Sequence, residues 1–307
     1  MGGVLLGFST IAAVIGLGAL LAHRGVVDVS AQVLLSRLAF FVATPALMVT
    51  TIGEAHVVDA FSGNLVATAT AVVVTAGLYL AGARWVWHHR APEAVIGALS
   101  SAYVNAGNLG IPIAAYVLGD AALVAPTLLL QLLVLQPIAL SILDRHTRDS
   151  PAGLLSTVRG IISNPLTVGA LIGLVLSLGG WTLPPFVADP LGLVGDMAVP
   201  AMLIAYGIAL RLGPGFGDGG TGSEVFVASA LKLLVQPFVA WVVAHWVLGL
   251  DGTALFAVVV TSALPTAQNI FVHATRYGRG QVMARDTILL TTMGSVPVIL
   301  VIALLLG

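Results

Sequence analysis

The stretch AYVNAGNLGIPIAAY, residues 102–116, decides how this chain folds. It lies inside an apolar run long enough to cross a bilayer. It nevertheless holds Asn105, Gly107, Asn108, Gly110 and Pro112, and no charge. Glycine and proline weaken a helix interior by about 1 and about 3 kcal/mol relative to alanine. A helix that comes undone in lipid exposes N–H and C=O groups at several kcal/mol each, so a break persists only where protein or water covers it. The stretch therefore reads as an interruption built into a membrane span.

The rest of the chain supplies the membrane. Of its 307 residues 58% are hydrophobic and 8% charged, and the mean hydropathy is +1.06. Apolar runs of about 20 residues cross a hydrocarbon core of about 30 Å. Such runs are expected at residues 3–22, 32–51, 61–83, 92–118, 121–143, 160–179, 190–210, 225–249, 252–275 and 283–305. These ten spans form one all-α integral membrane domain over residues 1–307. The opening stretch MGGVLLGFSTIAAVIGLGALLA has no basic leader region and reads as a retained helix. Zero cysteines exclude disulfides and thiol nucleophiles, and a net charge of −1 argues against nucleic acid as a partner. HExxH, GxSxG and GxxxxGK[ST] motifs are all missing, so neither an enzyme nor a nucleotide-driven pump is expected. No metal site and no cofactor is expected either.

Basic residues test the count of spans. Arg24, Arg37, Arg84, Arg90, Arg145, Arg148, Arg159, Arg211, Arg276, Arg279 and Arg285 all lie in or beside the odd-numbered loops, and Lys232 is the exception. The positive-inside rule then places those loops in the cytoplasm and both termini outside, in a multi-pass cell (plasma) membrane protein.

The second half repeats the first. TSALPTAQNIFVHATRY (261–277) interrupts the ninth span as 102–116 interrupts the fourth, and a shift of 161 residues lays Asn108 on Asn269, Tyr116 on Tyr277 and Gly119 on Gly280. TPALMVTTIG (44–53) answers VPAMLIAYGI (199–208), pairing Pro45 with Pro200. Repeat one covers 1–143 and repeat two 160–307, joined by a cytoplasmic linker at 144–159. Five is odd, so the two five-helix repeats cross the membrane in opposite directions, the inverted arrangement of secondary transporters. From Glu93, residues Asn105 to Asn108 lie about 18 to 22 Å along their helix, near the midplane. The same arithmetic from Gly252 brings Leu264 to Asn269 to similar depth, so the broken helices 4 and 9 are expected to cross there.

Half-helix N-termini offer free N–H donors and about half a positive charge to an anion. Asn105, Gly107, Asn108, Pro112, Pro265, Gln268 and Asn269 are the candidate binding residues, uncharged amides and backbone dipoles standing in for costly buried charge. Gln131 is a further candidate, although it and Gln136 read first as helix-to-helix hydrogen bonders. Lys232 either snorkels to the interface or is a buried cation for coupling or charge compensation. Asp196 reads as a solvated or capping carboxylate with a proton-coupling alternative, and His273 as a packed side chain with a proton-relay alternative.

NAGNLGIP (105–112), the proline-containing second interruption and LKLLVQP (231–237) together resemble the auxin efflux carrier family, over essentially the whole chain. The resemblance implies a fold similar to bile-acid sodium symporters, with crossing helices 4 and 9 and crossover asparagines at Asn108 and Asn269. It also implies a homodimer and export or exchange of small organic anions: auxin in plants, malate or malonate in bacteria. The chain lacks the long soluble loop of many plant members. The expected function is thus organic-anion transport by alternating access. A sodium-coupled importer and a non-transporting membrane sensor are the alternatives.

Overall fold

Proline writes the helix geometry of this protein. The computed structural model describes residues 2–54, 57–147, 165–212 and 222–307. The expected linker from residue 148 onward, the first residues of the sixth span (160–164) and most of the Gly-rich loop before the eighth lie outside them. The described residues are helical apart from short connections and one isolated β-bridge. The helices are α1 (Gly2–His23), α2 (Val29–Glu54), α3 (Val57–Trp85), α4 (Ala91–Ala102), α5 (Ala106–Leu118) and α6 (Ala121–His146). They continue as α7 (Pro165–Gly179), α8 (Pro185–Leu212), α9 (Gly222–Val247), α10 (Gly252–Ser262), α11 (Asn269–Tyr277) and α12 (Gln281–Leu306). Six of these are long and apolar enough to cross a membrane.

Four of the twelve helices contain a π-helical turn that ends two residues before a proline: Ala39–Ala43 before Pro45, Ala106–Gly110 before Pro112, Gln131–Leu135 before Pro137, and Leu231–Val235 before Pro237. A proline ring clashes with the carbonyl four residues back and donates no N–H. In each case that carbonyl belongs to the middle residue of the π turn, so the helix widens by one residue where the ring pushes. Asp28 caps α2 by accepting from the Ala31 N–H at 3.0 Å. The Ser30 hydroxyl, followed by that N–H, holds its exposed carboxyl below the usual aspartate range.

The chain divides into two compact units. The first comprises Met1–Phe61, Gly107–Leu129 and Ile161–Gly215. Lipid removes most of the hydrophobic drive for helix association, so close backbone approach at small residues takes its place. Here α1 lies on α8 and α7 on α2, and glycines hold each pair. A Cβ at Gly18 would stand 2.3 Å from the Ile204 carbonyl oxygen, and one at Gly207 would stand 2.0 Å from that of Ile15. Gly169 and Gly173 abut the backbones of Pro45 and Met48 in the same way, both at 2.6 Å.

The second unit comprises Ser62–Ala106, Leu130–Gly160 and Phe216–Gly307. Its cores join α3, α9 and α10 around Ala67, Ala240 and Val258, and α4, α6, α11 and α12 around Ile96, Leu143, Ile270 and Ala284. Gly97 on α4 admits the ring of Tyr79, which a Cβ there would overlap. At the far end of α11 the Tyr277 hydroxyl donates to Asp144 at 2.7 Å and Arg279 pairs with Glu93 at 3.1 Å.

The helices run longer than the sequence reading has them. α2 begins at Val29 rather than residue 32, and α8 at Pro185 rather than 190, because Asp28 and Pro184 supply the extended entry residues. Asp196 therefore does not open a helix. It ends the first segment of α8, Pro185–Asp196, and is exposed.

Candidate functional site

Two helices of the second unit stop short, and their loose ends join. The chain leaves α4 at Tyr103, whose backbone is extended (φ −87°, ψ 108°), and resumes helix at Ala106. It leaves α10 after Ser262 and resumes helix at Asn269. Between them Val104 and Thr266 form an antiparallel bridge, in which the Asn105 N–H donates to the Pro265 carbonyl at 2.7 Å and the Ala267 N–H to the Tyr103 carbonyl at 3.1 Å. The first interruption thus falls on 103–105, ahead of the Asn105–Asn108 expected from composition. Asn108 lies within the π turn that Pro112 imposes. Strand-like pairing with Thr266, which a single segment's propensities do not encode, sets where α4 ends.

Side chains from other helices satisfy the groups set free. Gln131 Nε2 on α6 donates to the Val104 carbonyl at 3.0 Å, and Gln236 Nε2 on α9 donates to the Ala102 carbonyl at 3.0 Å. Lys232 Nζ donates to the Ser262 carbonyl at 3.0 Å and to Gln236 Oε1 at 2.7 Å. The Thr266 hydroxyl donates to the Ser100 carbonyl, while its N–H reaches Thr291 Oγ1 on α12 at 3.1 Å. The Tyr103 hydroxyl donates to Gln136 Oε1 at 3.3 Å and also meets the Asn269 side chain. Backbone groups buried in an apolar medium need such partners, and here α6, α9 and α12 contribute them.

Among the sequence candidates, Asn105, Gln131, Pro265, Gln268, Asn269, Lys232 and His273 belong to this unit, and Gly107, Asn108, Pro112 and Asp196 to the other. Asn105, Gln131 and Pro265 are buried at the bridge. Gln268 and Asn269 are half-buried at the start of α11, and Asn269 Oδ1 is buried without a hydrogen-bond partner. His273 sits one turn further along α11, half-buried. Lys232 does not snorkel: it is fully buried, because the π turn Leu231–Val235 aims it at the end of α10. Gln236, Thr266 and Thr291 were not among the candidates. Their signal was the one that singled out Lys232, a polar side chain at membrane depth.

A family model described as membrane transport protein matches residues 9–147 and 143–303. The chain belongs to that family. It is a multi-pass membrane transporter and not an enzyme. A protein of Rhizobium meliloti (strain 1021), provisionally named a malonate transporter, is 24% identical over 263 residues, 83% of this chain and 81% of that one. Auxin efflux carrier component 3a of Oryza sativa subsp. japonica is 27% identical and component 1 of Arabidopsis thaliana 26% identical, each over 158 residues and 50% of this chain. Those matches cover 25% of either plant protein. The transporter is thus a bacterial-type member of the auxin efflux carrier family, as its NAGNLGIP stretch indicates.

Proposed function

We propose that this transporter is a secondary carrier of small organic anions, exporting or exchanging mono- or dicarboxylates by alternating access at the interrupted helices. The observation that carries the reading is the pair of unwound segments joined at Val104 and Thr266, each followed by a new helix with an asparagine in its first turn: Asn108 in α5, Asn269 in α11. N–H groups at such helix starts favour anions without the desolvation penalty of a buried arginine or lysine. Asn105, Asn108, Gln268 and Asn269 supply amide donors, with Gly107, Pro112 and Pro265 shaping the backbone around them. Asn269 Oδ1, buried without a partner, marks an amide whose hydrogen-bonding capacity is not used up within the protein. Gln131 acts indirectly, by holding the Val104 carbonyl. The names of the relatives, a malonate transporter and auxin efflux carriers, point to the same chemical class.

Counting α4 with α5 and α10 with α11 as single broken crossings, the architecture is ten spans in two inverted five-helix repeats. The reciprocal packing of α1 on α8 and α7 on α2 supports it, since an inverted repeat pairs equivalent helices across its halves. Spans 1, 2, 6 and 7 share the first unit. With both termini outside a cell membrane, an inside-negative potential favours anion exit by about 2.3 kcal/mol per charge per 100 mV. Export then needs no coupling ion. The test is flux of labelled malonate and other organic acids in proteoliposomes. Asn108→Ala and Asn269→Ala are each expected to lower flux at least tenfold while the protein stays folded, and unchanged flux in both refutes the site.

A further inference from the structure

The crossover places two helix C-termini in the membrane interior, and neither is left bare. α4 ends at Ala102 and α10 at Ser262, each with carbonyls that lack partners in the helix and with about half a negative charge. A cation is the natural complement of two such ends. Lys232 Nζ meets the Ser262 carbonyl at 3.0 Å directly and the Ala102 carbonyl through one intermediary, Gln236, whose Oε1 lies 2.7 Å from Nζ and whose Nε2 lies 3.0 Å from that carbonyl. The chemistry fixes every direction along this chain. A carbonyl can only accept, so Gln236 presents Nε2 to Ala102 and Oε1 to the ammonium, which carries three donors and no acceptor. Lys232 and Gln236 are both fully buried. Ser262 Oγ, on the same residue as the acceptor carbonyl, is buried without a hydrogen-bond partner.

We infer that Lys232 is a resident cation of the crossover, holding by an ammonium group the oxygen set that a cation-coupled carrier fills with sodium, and that it makes transport independent of sodium. The inference rests on the transport reading above and extends it to the energetics of coupling. Gln236 is the positioning residue that passes the charge from one helix end to the other. Removing the ammonium leaves the Ser262 carbonyl and Gln236 Oε1 without their buried donor, next to a Ser262 hydroxyl that has no partner of its own, an oxygen set suited to a small monovalent cation.

The test compares wild type, Lys232→Ala and Lys232→Arg in sodium chloride and in choline chloride at equal ionic strength. Malonate flux in proteoliposomes and melting temperature are the two readouts. Wild type and Lys232→Arg are expected to show no difference between the salts in either. Lys232→Ala is expected to melt several degrees lower than wild type in choline, to recover part of that loss in sodium, and to show flux only with sodium. Wild-type flux that falls several-fold in choline overturns the inference. So does Lys232→Ala that is equally stable and active in both salts, or that folds in neither, since a purely structural tie would behave so. Wild type that moves no organic acid in either salt refutes the transport reading, and the melting comparison still decides the role of Lys232.

Discussion

Gln236 holds two buried groups with one amide, and Gln131 holds one, so replacing them is expected to have unequal effects. Gln236→Leu frees the Ala102 carbonyl and takes from Lys232 one of its two acceptors. Stripping a partner from a buried charge costs about 3–5 kcal/mol. Gln131→Leu affects only the Val104 carbonyl, which still accepts from the Ala106 N–H at 2.8 Å, and is expected to cost about 1 kcal/mol. Thermal unfolding in detergent should rank the variants in that order, and equal losses would mean that the ammonium does not depend on Gln236. A snorkelling and a buried Lys232 are indistinguishable at the level of residue order. Depth along a helix is readable from residue counting, but direction around its axis is not, and the extra residue of the π turn sets that direction.

Helices here are placed by prolines and packed by glycines, and the two signals differ in how plainly they read. A proline announces its own disturbance, so the turns before Pro45, Pro112, Pro137 and Pro237 are traceable to single residues. The weak helix formers at 105–112 likewise located one interruption to within a few residues. What stayed hidden was its true start at Tyr103, because a bridge to Thr266 some 160 residues away decides it. Glycine roles were hidden too: α1 holds both Gly16, with open space around it, and Gly18, pressed on a carbonyl, and composition does not separate them. Gly207→Ala drives a Cβ into the Ile15 carbonyl and is expected to destabilise by about 1–3 kcal/mol. Gly16→Ala meets nothing within 4 Å and is expected to stabilise by up to about 1 kcal/mol through helix propensity. Chemical or thermal unfolding of the two purified variants checks the contrast.

At the level of the whole molecule the proposed topology makes a prediction that the absence of cysteines renders easy to read. Single cysteines at the exposed positions Thr182 and Thr253 should react with a membrane-impermeant maleimide on intact cells, while one at exposed Arg90 should react only after permeabilisation. The reverse pattern would turn the molecule over, and a mixed one would change the number of crossings. The reciprocal pairing of α1 with α8 and of α7 with α2 also bears on how the protein is made. Gly18 emerges from the ribosome long before its partner Ile204, and at about 5–20 residues per second the wait is roughly ten to forty seconds. Throughout that interval the first helix sits in the lipid without the neighbour its glycine is shaped for. Neither half of the gene should therefore yield a lasting product by itself, whereas the two expressed side by side should find each other.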